Sequence, residues 1–506
     1  MEFKVFRDTL SAAGSFCTVQ SEIPIETELL ISDYLPQVFK IVKCFVKLVV
    51  LQKQLQASRL NVEGYLRCIV YYQGENGQGL CQTEQKLPFN RAIELPALDY
   101  STFSTVIGGE TEYLNCRAVN QRRVEVRGAY QLSAGVYTQL QQEVITAVAD
   151  CGAQQKQAVL AGVRCLTAQD KLINCDNEFR FDTAPAAVLD IAGTAAVREL
   201  KCLSGKVVAK GEILAELAYR TQSGSLQAQR VTVPFNQILD VEGIAEDCRC
   251  LCMVEPVGFT LTEVAAGEGQ TTPRLTVSAL LHLRAYRGFE INLVADLFST
   301  QYQTELQRQT VTAERLEQQL DETLTLQASG QLPDGNARLL ACFAAFGPVE
   351  IAAVQQKAVL RARGVVTAFC ENTLQEIESV EKQVEFLLPL GDAARVGQLH
   401  AECWLSVQEV NCQLTAGTLE ATLVVRAEGV VLERSAVSSV AQATLGEAHT
   451  PADPDVALRI YYAQPGEEVF EIARRFHVAP QEMLTVNGLE EQLLAAPRRL
   501  LVPGAG

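Results

Sequence analysis

The sequence predicts a mainly β protein, built as tandem sandwich-like domains and closed by one small βααβ module. Three observations carry that prediction. A set of motifs recurs at a spacing near 147 residues. Apolar residues alternate with polar ones at the two-residue period of a half-buried strand. Helical spacing becomes clear only after a proline-marked break near residue 450. The chain has 506 residues, 48% of them hydrophobic. That is length for about three domains, with enough apolar side chain to give each a core.

The repeat is legible element by element. Asn61-Val62-Glu63-Gly64-Tyr65-Leu66 leads through Tyr72 and Leu80 to Pro88-Phe89-Asn90. Ala209-Lys210-Gly211-Glu212-Ile213-Leu214 leads through Tyr219 and Leu226 to Pro234-Phe235-Asn236. Matching positions lie 146 or 147 residues apart, with a single one-residue slip. Pro36 and Pro185 mark the entries, and Arg123-Val124-Glu125-Val126 has its counterpart in Arg274-Leu275-Thr276-Val277. A third copy enters at Gln331-Leu332-Pro333, carries Gly364, and has Val384-Glu385-Phe386 where the triplet stood. Leu275, Val277, Ala279, Leu281 and Leu283 point one way along a strand, with Thr276 and His282 turned outward. Ala401, Cys403, Leu405 and Val407 alternate likewise, which puts Trp404 on the opposite face. Gly74, Asn76, Gly77 and Gly79, and later Ser223-Gly224, mark hairpin loops, where glycine supplies positive φ. The main helical candidate within the repeats is Thr310 to Leu326, with Val311, Leu316 and Leu320 spaced loosely for a helix; its place in the repeat equally suits a strand. The β domains then fall at 1–150, 151–305 and, in degenerate form, 306–445.

Residues 446–457 read as a linker, centred on Thr450-Pro451-Ala452-Asp453-Pro454. The closing module, 458–504, has a different pattern. Leu458 to Tyr462 reads as a strand and Gln464-Pro465-Gly466 as a turn. Val469, Ile472, Ala473 and Phe476 follow at helical spacing, with acids in the first turn and Arg474 and Arg475 in the last, which complements the helix dipole. Pro480 opens a second helix and Asn487-Gly488 closes it. Leu500 to Val502 returns as a strand.

Composition excludes several functions. Formal charge is −17, which disfavours a nucleic-acid coat or an anionic-membrane binder, since both depend on Lys/Arg attraction to phosphate. The most apolar stretch, Val38 to Leu51, is broken by Lys40, Lys43 and Lys47 and is too short to span a bilayer. Met1 to Phe16 lacks the pattern of a signal peptide, so a cytoplasmic chain with reduced thiols at its 16 cysteines is expected. Cys248, Cys250 and Cys252 alternate, but no Cys-x-x-Cys pair and no nearby His completes a metal set. The four histidines, His282, His400, His449 and His477, are scattered. No nucleophile elbow, P-loop or His-Glu-x-x-His occurs, and Gly74 to Gly79 joins strands, so it reads as a hairpin loop. No enzyme, cofactor or metal is expected.

Two resemblances add to this. Gln464-Pro465-Gly466, Ile472-Ala473-Arg474-Arg475-Phe476, Asn487-Gly488-Leu489 and Leu500-Leu501-Val502-Pro503 make the closing module resemble a LysM domain. That family commonly binds N-acetylglucosamine polymers in a shallow groove. The resemblance puts the groove loops here at Gly466, Glu467, Glu468 and Val469, and at Asn487, Gly488 and Leu489. Glu467-Glu468 stands where the family usually has Asp followed by Ser or Thr, and Pro497-Arg498-Arg499 where it has Pro-Gly-Gln. Two long carboxylates suit a protein surface better than a neutral sugar, which makes Glu467 and Glu468 the contact residues.

The Val-x-Gly strand, the tyrosine strand end and the Pro-Phe strand are similar to the SPOCS domain of spore-forming Firmicutes, over roughly residues 20–440. SPOCS repeats followed by one LysM resemble the SipL class of spore morphogenetic proteins (Clostridia). That class implies a non-catalytic adaptor in the mother cell. Its LysM domain binds the spore coat basement-layer ATPase, stage IV sporulation protein A, at the forespore surface. The alternative is a LysM protein that binds peptidoglycan.

Overall fold

The computed structural model describes residues 2–33, 35–56, 58–75, 79–96, 102–222, 226–265, 271–332, 336–415, 417–450 and 459–503. Of the features read from the sequence, Asn76 and Gly77, the Ser223-Gly224 turn, Pro333, residues 451–457 of the linker, and the module ends at 458 and 504 lie outside the described residues. The chain is mainly β, with two short helices.

One plan appears three times. The first copy runs β1 (Lys4–Leu30), β2 (Val38–Gln56), β3 (Arg59–Gly74), β4 (Leu80–Glu94), β5 (Thr102–Asn120) and β6 (Arg123–Ala149). The sheet β2-β3-β4 faces the sheet β1-β6-β5 across one apolar core that includes Val62, Leu66, Val70, Val124 and Leu132. The second copy is β7 (Ala153–Glu178), β8 (Pro185–Leu203), β9 (Lys206–Thr221), β10 (Leu226–Asp240), β11 (Arg249–Ala265) and β12 (Thr271–Ser299). Here β8-β9-β10 faces β7-β12-β11, and Leu275, Val277, Ala279, Leu281 and Leu283 all point into the core. In the third copy, β13 (Tyr302–Gln331), β19 (Thr418–Ala448) and β18 (Leu399–Thr415) form one sheet. Against it lie β16 (Lys357–Glu371), β17 (Ile377–Asp392) and an edge split into β14 (Arg338–Phe346) and β15 (Glu350–Val354). The stretch Thr310 to Leu326 lies within β13 and is strand; its partner β19 runs antiparallel beside it.

The recurring motifs have a common physical cause. Gly64 lies opposite Phe89, and Gly211 opposite Phe235. A Cβ on Gly64 would come within 2.0 Å of the Val49 carbonyl oxygen, and one on Gly211 within 2.1 Å of that of Ala196. The strands approach too closely for any side chain, and in the second copy the Phe235 ring covers the bare glycine. In the third copy Phe346 of β14 supplies the ring over Gly364, so a phenylalanine triplet opposite is not needed there. Tyr72 and Tyr219 are buried, and the Tyr72 hydroxyl donates to the Pro36 carbonyl at 3.0 Å.

The long strands of the three copies converge. Leu10 and Val144, Leu160 and Leu293, and Val311 and Ala313 meet in one apolar cluster that draws a pair from each copy. Beyond that hub the copies touch pairwise. Tyr65 and Val49 pack with Val257 and Leu280 between the first and second. Phe45 and Tyr71 pack with Phe343 and Phe369 between the first and third, at ring separations of 4.8–6.0 Å. Lys40 and Lys43, which interrupt the most apolar stretch of the sequence, pair there with Glu376 at 3.3 Å and Glu381 at 2.9 Å. That stretch is an interface strand. No helix among the described residues is long and apolar enough to cross a membrane.

One expectation is corrected. The cysteines are not uniformly free thiols: Cys342 and Cys412 form a disulfide between β14 and β18.

Candidate functional site

The closing module contains β20 (Arg459–Ala463), α1 (Val469–Phe476), α2 (Pro480–Asn487) and β21 (Arg498–Val502), with β20 and β21 antiparallel. Proline at the start of α2 lacks only an N–H that has no helical partner. Gly488 ends the helix in the left-handed region, at φ 57°. Val469, Ile472, Ala473, Met483 and Leu500 fill its core.

The groove residues anticipated from the sequence have internal tasks. The Glu467 carboxylate accepts from the Gln464 backbone N–H and from the Tyr461 hydroxyl, both at 2.8 Å. Those hydrogen bonds hold it below the usual carboxylate range. Glu468 precedes α1 and pairs with Lys156 on β7. Val469 is fully buried. The Asn487 amide donates to the Met483 and Leu501 carbonyls at 2.8 Å and accepts from the Leu501 N–H at 2.6 Å, which pins α2 to β21. The first loop is tied instead to the segment before β21: Gly466 N–H donates to Leu494, and Val469 N–H to Gln492. Gly466 and Gly488 are exposed and Leu489 is half-buried.

The helix face is occupied as well. Phe470 meets Phe298 of β12 edge-on at 5.2 Å, and Phe298 joins the module's own core. Arg474 pairs with Asp296 at 2.5 Å and lies over both rings. His477 stacks on His449 at 3.6 Å. Two of the four scattered histidines thus meet in space. The open face is the outer side of the two strands: Ile460, Tyr462 and Leu501 are exposed, with Arg499 opposite Tyr462 and Val486 exposed on α2.

A second constellation was missed by sequence reasoning. All three copies line a cavity of about 650 Å³. Lys53 from the first copy pairs with Asp170 of the second at 2.6 Å. Asp170 also accepts from His282 and Arg284, each at 3.0 Å. Arg284 then reaches Glu402 of the third copy at 3.0 Å, with side-chain exposures of only 1% and 3%. Trp404 lies against both Arg284 (5.5 Å) and His282 (5.7 Å). Burial alone would raise the Asp170 carboxyl. The hydrogen bond from His282 and the charges of Lys53 and Arg284 outweigh it and hold the group far below the usual range. Burial lowers the Lys53 ammonium, and Asp170 partly restores it. Nearby, His400 lies 3.3 Å from Glu314. Burial pushes Glu314 up to about 7, while burial and Arg434 push His400 down to about 4. Between about pH 4 and 7 both groups are therefore neutral, although their separation alone would suggest an ion pair. His282 lies on the face of β12 turned away from its own core, as its parity requires, and that face is covered by the neighbouring repeats. Lys53 and Glu402 come from the first and third copies, and Asp170 is more than 100 residues from His282 and Arg284, so no local spacing signals the cluster.

Among the described residues, no group of three or more His, Cys, Asp or Glu side chains is arranged to hold a metal. Cys250 lies on β11 with its sulfur 2.8 Å from that of Cys202, and Cys248 precedes the strand.

Residues 37–119 and 186–261 match the model of the SipL, SPOCS domain family. Two segments of this chain are therefore similar to the SPOCS domain. They cover β2 to β5 and β8 to β11, so each SPOCS match includes the glycine strand, its phenylalanine partner and the edge strand of the second sheet. The SPOCS segments point to a sporulation-related family. No curated protein and no solved structure matches the chain.

Proposed function

We propose that the chain is a non-catalytic sporulation scaffold whose C-terminal module, a LysM domain by its motifs, docks on the spore coat basement-layer ATPase at the forespore surface of the mother cell. The observation that carries this reading is the division of labour within the module. Its α1 face is held against the second SPOCS repeat by Phe298, Asp296 and Lys156, and the opposite strand face presents Ile460, Tyr462 and Leu501. A partly apolar face on a rigidly seated module suits a protein partner, because exposed aromatic and aliphatic side chains beside an arginine supply the kind of anchors that protein interfaces use. Glu467 is engaged by the module's own turn and Glu468 by Lys156, so the partner surface shifts from the two acids toward Tyr462 and its neighbours. The β body, with its joined repeats, serves as the rigid platform.

The test is capture of the purified ATPase by the full chain and by Tyr462→Ala and Leu501→Ser variants. Capture by the parent that falls at least tenfold in the variants supports the reading. Retention of the full chain on insoluble peptidoglycan, with no capture of the ATPase, overturns it in favour of a glycan binder.

A further inference from the structure

The Cys342–Cys412 disulfide has counterparts. It joins β14 to β18, the edge strands of the two facing sheets in the third repeat. In the first repeat those positions belong to β2 and β5, and Cys44 and Cys116 lie on them within hydrogen-bonding reach of each other. The correspondence extends to register. Cys116 is opposite Val126, the fourth residue of β6, and Cys412 is opposite Ala421, the fourth residue of β19. Cys44 and Cys342 lie opposite Val70 and Ala368, each an even number of residues beyond its repeat's glycine and so on the same face. The second repeat has Phe259 at this site, beside Gly193. It places a pair on the same two strands at their other end: Cys202 on β8 and Cys250 on β11, with sulfurs 2.8 Å apart. All four of these thiols are half-buried, whereas Cys68, Cys81, Cys175 and Cys370 are buried.

We propose that Cys44–Cys116 and Cys202–Cys250 are disulfide sites, so that oxidation gives every β domain one bond clasping its two sheets at the same edge. The chemistry is exchange with a low-molecular-weight disulfide. One protein thiolate attacks a sulfur of the reagent and expels one thiolate. The second protein thiol loses its proton and displaces the other, leaving a protein disulfide and two reduced small thiols. The hydrogen bond from Cys44 lowers the Cys116 thiol, which makes Cys116 the attacking group in the first repeat. The closed loops would span 72 and 48 residues, against 70 for Cys342–Cys412. Loops of that size restrict the unfolded chain strongly.

The experiment is peptide mapping of the folded full chain. It is first reduced under native conditions, then treated with oxidised glutathione, then blocked with N-ethylmaleimide and digested without reductant. The expected result is loss of maleimide from Cys44, Cys116, Cys202 and Cys250, with both predicted linked peptides present. Cys44→Ser should leave Cys116 carrying maleimide or glutathione while Cys202–Cys250 still closes. Alkylation of all four in the parent chain overturns the proposal, as does linkage to other cysteines or glutathione that remains without closure. The parent map decides the question even if the variant fails to fold.

Discussion

The buried link between the second and third repeats can be cut at Glu402. Its carboxylate accepts from Arg284 at 3.0 Å with both side chains almost wholly buried. Removing one member of a buried pair leaves an uncompensated charge and costs about 3–5 kcal/mol. Asp170 remains 3.0 Å from Arg284 and stays ionised, so Glu402→Ala should fall near the low end, about 3 kcal/mol. For a unit of one repeat's size that is a fall of roughly 6–12 °C in unfolding temperature. Scanning calorimetry of the full chain should show a transition displaced to lower temperature, because the second and third repeats no longer support each other. Replacing both partners with apolar residues, Arg284→Met with Glu402→Leu, should recover most of the loss, since neither charge is then stranded. A Glu402→Ala protein that melts with the parent would refute the reasoning. So would a double variant less stable than the single one.

Other outcomes follow from the same structure. Between pH 4.5 and 6.5 the native chain keeps a proton on Glu314 and the unfolded chain keeps one on His400, so the pair leaves stability flat with pH. Glu314→Gln removes one side of that balance. The remaining His400 is neutral when folded and protonates when unfolded, so stability should rise by about 3 kcal/mol from pH 4 to 6.5; denaturant melts across that range check it, and an unchanged pH profile counts against the pair. Gly64→Ala and Gly211→Ala should each cost about 1–3 kcal/mol by forcing strands apart, whereas Gly258→Ala, with its nearest neighbour at 3.7 Å, should melt like the parent. Arg474→Ala removes the module's ion pair with Asp296 and its contact with two rings; limited proteolysis should then release the C-terminal module at least severalfold faster, and an unchanged release rate would mean that Phe298, Lys156 and His449 suffice to seat it.

The sequence disclosed what repeats and what alternates. Glycines at 64 and 211 and phenylalanines at 89 and 235 recur because each pair meets across one strand ladder, so a local steric need is written in both copies. Alternation from Leu275 to Leu283 marked a core face, and all five of those residues are buried. Thr310 to Leu326 remained ambiguous because a register shift between Leu316 and Gln318 breaks the two-residue period and several covered positions carry polar residues. In the module, helical spacing, an opening proline and Asn487-Gly488 marked α1 and α2. The same motifs were silent on which polar groups were already engaged by Tyr461, Gln464 and Lys156.

By itself, then, the sequence determined the local grammar: strand periodicity, the close-packed glycines, the turn and cap residues, and an acidic chain with no recognised catalytic motif. Only the tertiary structure decided which faces are surface. His282, Trp404 and the strand at Val38 to Leu51 face neighbouring repeats, and Lys53, Asp170, Arg284 and Glu402 become one network. Cys44 and Cys116 likewise become partners across two sheets. The physical reason is range. Periodicity and turn chemistry act over a few residues and leave a record in adjacent letters. Charge pairing and thiol contact depend on distance in space, and here they join residues that the chain separates by from 48 to more than 100 positions.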